Sequence, residues 1–474
     1  MKFLLFILIA LSATAVCATE LAIVAQDRVV LRAAPRDSAQ QHALLWQGEA
    51  LEVRAERLDF LQVYDHRRER AGFVRASQVR RVGTEPADAP GLLSVVRFLR
   101  DAPGAEALGI AFAAAYLRAA SAEAVNGAEG IEALDALGTF ADRLARRASI
   151  EHLELVARYG VNFLSNERGG RIYVCYDGEA FRRVLAMRST PGQQAHAALA
   201  LTRTECVPGD LRPLERRRVD EWRAEILDRV ETESLPGYLR NRVLLQRASV
   251  WASLAYQRTR GGGAADVAAG RAVSELAGID KGELAAQDAR TYAEAAMRVS
   301  ASRWAGVAVP VASGAGPQVA TVPGAPGETC VLLIDAKNDH RRPLARRCTY
   351  SLVWAASASV NRDGSALALA IQPIDTWREI WLFRKTRSGW TIAVLPPAAA
   401  SPGIGYAELA GWVPGRPEML VARESLAEGK QRRSFEIVRL DSLATVRQAS
   451  DPSILGHFQR WQDPSWKRET LSLR

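Results

Sequence analysis

The chain has 474 residues, with 62 Lys plus Arg against 53 Asp plus Glu, five Cys and six His. At roughly 100–200 residues per domain, this length holds about three domains. A composition 48% hydrophobic and 24% charged excludes a disordered charged tail, a collagen-like repeat and a multispanning membrane protein, because only the extreme N-terminus carries an extended apolar run.

Met1-Lys2 supplies a positive charge, Phe3 to Ala13 an apolar core, and Val16-Cys17-Ala18 a small-residue cleavage site. Together they predict a secretory signal peptide over residues 1–18, cleaved near Ala18, and a periplasmic protein. Acylation of Cys17 is disfavoured because Val16 stands where a lipobox carries a smaller residue. Four cysteines then remain in an oxidising compartment, and four cysteines allow three pairings. Cys175 with Cys206 and Cys330 with Cys348 is the expected set, because each pair lies inside one expected domain and closes a short loop. No Cys-x-x-Cys or HExxH spacing is present, so neither a zinc site nor a dithiol is expected, and no cofactor is implied.

From Leu21 to Val82 the sequence runs in short alternating apolar segments separated by turn residues, the pattern of a small barrel of half-buried strands. Leu31-Arg32-Ala33-Ala34-Pro35, Gln47-Gly48-Glu49-Ala50-Leu51-Glu52-Val53 and Gly72-Phe73-Val74 carry a specific likeness. Residues 20–82 resemble a bacterial SH3 (SH3b) domain. The resemblance implies an SH3-like all-β barrel that binds cell-wall glycopeptide or another protein. Phe60 and Phe73 stand where that family commonly carries Trp. They are candidate binding residues, against the alternative that they fill the core with Val63; Trp46 and Tyr64 are the better candidates for exposed aromatics.

After the linker at 84–90, residues 90–305 read as a helical domain. Helical spacing covers 105–120, 130–148, 150–164, 178–187, 191–203, 210–233, 236–260, 265–276 and 284–304. Ser189-Thr190-Pro191 marks one start by an N-cap followed by proline. Trp251 to Ala255 is similar to the opening of a tetratricopeptide repeat, but no 34-residue period follows, so an irregular bundle is expected. Arg171 to Tyr176 interrupts the helices as an extended segment. His152 and His196 are solitary, and the Arg/Glu run at 214–233 offers i,i+4 pairs such as Arg217 with Glu221, as a solvated face does.

Residues 306–329 are Gly/Pro/Ala-rich, a linker by composition. Beyond it, 330–474 read as an antiparallel all-β domain with an internal duplication: 360–369 followed by 379–382, and 412–421 followed by 436–440. The first copy, Asp363-Gly364-Ser365-Ala366-Leu367-Ala368 then Glu379-Ile380-Trp381-Leu382, resembles the strand pairs of TolB-type and WD40-like β-propeller blades. Two units fall short of a closed propeller, so a propeller-like or sandwich-like sheet is expected, with Asp363-Gly364 as a hairpin turn.

Residues 322–474 carry 21 basic and 15 acidic side chains, which concentrates the positive excess in this last module. Arg341-Arg342, Arg346-Arg347, Arg432-Arg433 and Arg460 with Trp461, Trp466, Lys467 and Arg468 are candidates for a cationic, aromatic contact with an anionic envelope surface, against a scattered solvated face. No nucleic-acid motif appears. The sequence therefore predicts a multidomain, exported envelope binding or scaffolding protein whose SH3-like domain recognises peptidoglycan or a protein partner. The competing expectation is an envelope hydrolase with its site where helices meet β-structure.

Overall fold

The computed structural model describes residues 20–147, 149–168, 170–309, 316–399, 403–427 and 430–469; the expected signal peptide lies outside them. The chain forms two compact units, residues 1–209 and 210–474. The helices expected across 90–305 are therefore shared between them.

The first unit opens with seven strands: β1 (Leu21–Val24), β2 (Val29–Arg32), β3 (Gln41–Leu45), β4 (Ala50–Arg57), β5 (Phe60–Asp65), β6 (Arg70–Arg75) and β7 (Val79–Val82). They pair antiparallel in the order β3-β2-β6-β5-β4-β1-β7, an open path rather than a closed ring. The alternation seen in the sequence puts Leu31, Leu51, Leu61, Val63 and Val74 into one core. Helices follow: α1 (Ala89–Leu99), α2 (Glu106–Ala119), α3 (Ala122–Asn126), α4 (Ala128–Arg147) and α5 (Ile150–Val156). On α4 the residues Ile131, Leu134, Leu137, Ala141 and Leu144 recur every three to four positions, so one stripe is buried.

The strands and these helices share a core. Ile23 and Val82 pack in the same apolar cluster as Leu93, Ile110 and Phe140. Gly48, at φ +90°, lies so close to α2 that a Cβ there would stand 2.6 Å from the Ala107 carbonyl oxygen, and Tyr159 donates from its hydroxyl to the Gly48 carbonyl at 2.6 Å.

The helix expected over 150–164 stops early. After α5 the chain turns at Gly160 and forms a hairpin of β8 (Phe163–Arg168) and β9 (Arg171–Tyr176). Apolar residues at 161, 163 and 164 suit either period, and pairing with β9 decides between them. The hairpin precedes α6 (Glu179–Ala186) and α7 (Pro191–Leu201). The latter begins as its sequence predicts, with Thr190 and Gln193 in a reciprocal capping box and Pro191 at the first position. Cys175 on β9 is disulfide-bonded to Cys206.

Glu106, buried at the start of α2, anchors the α2–α4 contact. Its carboxylate accepts from Arg143 Nη2 at 2.9 Å, Arg147 Nη1 at 2.5 Å and the Gly104 amide at 3.2 Å. Burial alone pushes its pKa up, but the backbone amides and Arg147 outweigh burial and hold it below the ordinary 4.5. A carboxylate with a depressed folded pKa contributes stability that is present above 4.5 and lost as pH falls through the folded value. Glu106→Gln should therefore lower the melting temperature of the first unit at pH 7, with a smaller gap to wild type at pH 3; an equal gap at both pH values would refute the linkage.

The second unit begins with α8 (Pro213–Asp228), α9 (Gly237–Arg260), α10 (Asp266–Ala277) and α11 (Ala289–Ser302). The pairs Arg217–Glu221 and Glu225–Arg229 lie on α8 as expected. The same helix also buries Asp220 against Arg223, Arg216 and Ser253, so it is not solvated all round. Part of the expected linker is strand: β10 (Gln318–Pro323) pairs with β11 (Thr329–Ile334), which pairs with β12 (Ala345–Thr349). Pairing of Gln318 to Pro323 with Thr329 to Ile334, residue for residue, outweighs the flanking Gly and Pro. Cys330 and Cys348 are register partners across β11–β12 and are disulfide-bonded.

The larger sheet holds β13 (Leu352–Val360), β14 (Ala366–Ile374), β15 (Trp377–Thr386), β16 (Gly389–Leu395), β17 (Ile404–Trp412), β18 (Glu418–Ala427), β19 (Lys430–Arg439) and β20 (Thr445–Ala449). The two segments aligned in sequence become two successive antiparallel meanders, β13-β14-β15 and β17-β18-β19, joined where Trp377 and Arg378 run parallel to Gly405 and Tyr406. Short helices α12 (Gly456–Trp461) and α13 (Pro464–Glu469) close the described chain. Along β14 the large residues Leu367, Leu369 and Ile371 pack with Val331 and Leu333 of the three-stranded sheet. The small residues Ala366 and Ala368 point to the other face.

Candidate functional site

That alanine face leaves room. A cleft of about 620 Å³ opens against β13, β14 and β17, with Arg303 and Trp304 on one side and the segment from Arg460 to Trp466 on the other. This volume falls in the range of small-ligand sites.

Four tryptophans line it: Trp304, Trp412, Trp461 and Trp466. Trp412, half-buried at the end of β17, donates from Nε1 to Ser359 Oγ at 3.0 Å, which fixes its ring. Trp304 lies under the Arg303 guanidinium, 4.2 Å from ring centroid to Cζ, and its Nε1 is buried, with no hydrogen-bond partner among the described residues. Trp461 carries Arg460 over its ring at 4.8 Å. Gly411 permits this wall: its backbone lies so near α12 that a Cβ would stand 2.4 Å from the Trp461 carbonyl oxygen. The Asp463 amide donates to the Ala410 carbonyl at 2.7 Å, so the C-terminal segment is tied to β17.

The floor is ionic. Glu408, only 4% exposed, pairs with Arg303 and with Arg378, which is wholly buried. Arg303 Nε donates to Glu408 Oε1 at 3.0 Å. Arg378 Nη1 donates to the Ser300 carbonyl at 2.5 Å, while its Nη2 stands 3.4 Å from Glu408 Oε2. Burial draws the Arg378 guanidinium down to about 10, against the attraction of Glu408, so it stays charged at neutral pH. Glu408 Oε2 is buried and, among the described residues, makes the ion pair with Arg378 but no hydrogen bond. The cleft thus sets aromatic faces beside the buried Arg303–Glu408–Arg378 trio, with the exposed residues Arg362 and Arg460 among its lining residues.

Of the residues singled out by sequence, Arg460, Trp461 and Trp466 line this cleft. Trp466 is also core: it is 6% exposed and packs on Phe458. The arginine pairs 341–342, 346–347 and 432–433 are not among its lining residues. In the first unit Phe60 is buried at 5% exposure, with Arg75 over its ring. Phe73 is half-buried opposite Gln62. Tyr64, half-buried, lies between Arg54 and His66, and Trp46 meets His152 edge-on at 5.8 Å.

Sequence reasoning missed Arg303, Trp304, Glu408 and Trp412. Trp304 and Trp412 stand at the ends of expected elements, and a tryptophan at such an end is the one available signal; nothing local marks Glu408.

Among the described residues, Glu328, Cys330 and Cys348 are the grouping that could hold a metal ion, and both sulfurs are committed to the disulfide. No helix among the described residues is long and apolar enough to cross a membrane. The chain matches no protein-family model, and no curated protein or solved structure matches it.

Proposed function

We propose that the protein is an exported, periplasmic cell-envelope binding or scaffolding protein that takes a saccharide segment of peptidoglycan in the tryptophan-lined cleft of its second unit. The SH3-like module of residues 20–82, read as a small barrel, supplies a second contact with peptidoglycan or a protein partner. The observation that carries this reading is the pairing, in one cleft, of tryptophan faces with the exposed arginines Arg362 and Arg460. A pyranose has an apolar C–H face that lies on an indole, and hydroxyls that both donate and accept. Arg362 and Arg460 suit the carboxylates of an acidic glycopeptide. Two disulfides agree with an oxidising compartment.

The test is sedimentation of the purified full chain with isolated cell-wall sacculi. Saturable binding is expected, and Trp461→Ala and Trp412→Ala should each weaken it about tenfold or more, as central tryptophans do at binding sites. Binding unchanged in both variants would remove the cleft from the reading. Deletion of residues 20–82 is unsuitable, because Ile23 and Val82 belong to the helical core.

A further inference from the structure

The serine at the start of α5 does not cap its helix. Ser149 has extended backbone, φ −75° and ψ 110°, and its side chain accepts no hydrogen bond from the first turn, although that is what serine ordinarily does at this position. Its hydroxyl instead stands 2.7 Å from His152 Nδ1. Glu151 Oε2, 3.4 Å from the same hydroxyl, is the more distant acceptor. The other ring nitrogen, Nε2, lies 2.8 Å from Asp27 Oδ1, on the turn between β1 and β2.

A carboxylate accepts and does not donate, so the proton of a neutral imidazole sits on Nε2. Nδ1 is then a bare lone pair, and the Ser149 hydroxyl must donate to it. Asp27 is itself held, because Oδ1 also accepts the Gln47 amide at 3.0 Å. His152 is 12% exposed at its side chain and is braced edge-on by Trp46.

We infer that Ser149, His152 and Asp27 form a nucleophile, base and orienting carboxylate for acyl transfer, with a carboxylic ester as the substrate class. Such a relay is recognised by geometry and roles, not by order in the chain or by which ring nitrogen faces the serine. Ser149 Oγ attacks the ester carbonyl carbon, and its proton moves to His152 Nδ1 as the new C–O bond forms. The tetrahedral adduct collapses, the bond to the leaving alkoxide breaks, and that oxygen takes the proton from Nδ1. Water then repeats the sequence on the acyl-serine, giving the carboxylic acid and free Ser149. An ester is favoured over an amide because an alkoxide leaves more readily than an amine. Ser149 and His152 are the catalytic residues and Asp27 a positioning residue. The relay lies wholly in the first unit and is independent of the binding cleft.

The experiment treats the full-length protein with a fluorophosphonate probe and maps the adduct by mass spectrometry. A single adduct on Ser149 is expected, none in Ser149→Ala, and labelling slowed about 100-fold in His152→Ala. With an activated acetate ester, Asp27→Asn should lower kcat with KM unchanged, and Asp27→Glu should recover part of the loss. Wild-type protein that stays unlabelled at Ser149 overturns the inference even if His152→Ala fails to fold; so does His152→Ala labelling at the wild-type rate.

Discussion

Glu408→Gln should destabilise the second unit by about 3–5 kcal/mol, the range for breaking one side of a buried ion pair. The substitution keeps the side chain's shape, so no cavity opens and the loss is electrostatic. Arg378 is 0% and Arg303 8% exposed at their side chains, and the carboxylate between them holds both charges in the cleft floor. Without it, two buried guanidinium groups of like charge lose the carboxylate that they share. Among the described residues, Arg378 then keeps the carbonyls of Ser300 and Ala301 and the face of the Tyr406 ring, none of which carries a compensating charge. An isolated exposed pair is worth no more than about 1 kcal/mol, so the size of the loss separates the two situations. Ten of the eleven tryptophans lie in the second unit, so intrinsic fluorescence in urea reports its unfolding. A shift worth under about 1 kcal/mol would mean that the trio is solvated and structurally idle.

The same trio shows why the cleft was hard to read in sequence. Arg303 and Glu408 are 105 residues apart, and in a chain so rich in arginine nothing marks either as buried. What sequence does carry is period. The alternation of Ala366 to Leu369 places large residues on one face of β14 and alanines on the other, and that alone decides which face packs on the three-stranded sheet and which is left open. Both disulfides were likewise legible, because proximity in sequence coincides with proximity in space: Cys330 and Cys348 sit opposite each other on neighbouring strands. The hairpin at 163–176 was half legible. Arg171 to Tyr176 read as extended, but Phe163 to Arg168 has no period of its own and becomes a strand only by pairing. Long-range electrostatics leaves no local trace, whereas burial on one face of a strand or helix leaves a periodic one.

Arg68→Met should cost the first unit about 3–5 kcal/mol by the same physics with the signs reversed. Arg68 Nη1 donates to Glu49 Oε2 at 2.8 Å and to Asp65 Oδ2 at 2.6 Å, and Nη2 donates to the Leu44 carbonyl at 3.1 Å. Glu49 is 3% and Asp65 2% exposed, and their hydrogen bonds, led by Glu49, hold the Arg68 guanidinium well above its ordinary value. Methionine fills the volume but leaves two buried carboxylates, with Glu49 relying on Arg67 at 3.4 Å. Lysine restores the charge but not the fork that reaches three acceptors, so Arg68→Lys should fall between wild type and Met. The consequence is local as well as global. Leu44 and Glu49 bracket the turn that carries Trp46 and Gln47, so Arg68 ties both ends of the segment that braces His152 and fixes Asp27. Hydrogen exchange should show the Gln47 amide, bonded to Asp27 in wild type, losing protection in Arg68→Met before the helical core does. Exchange of Gln47 no faster than in wild type would mean that the turn is held by something other than this clamp.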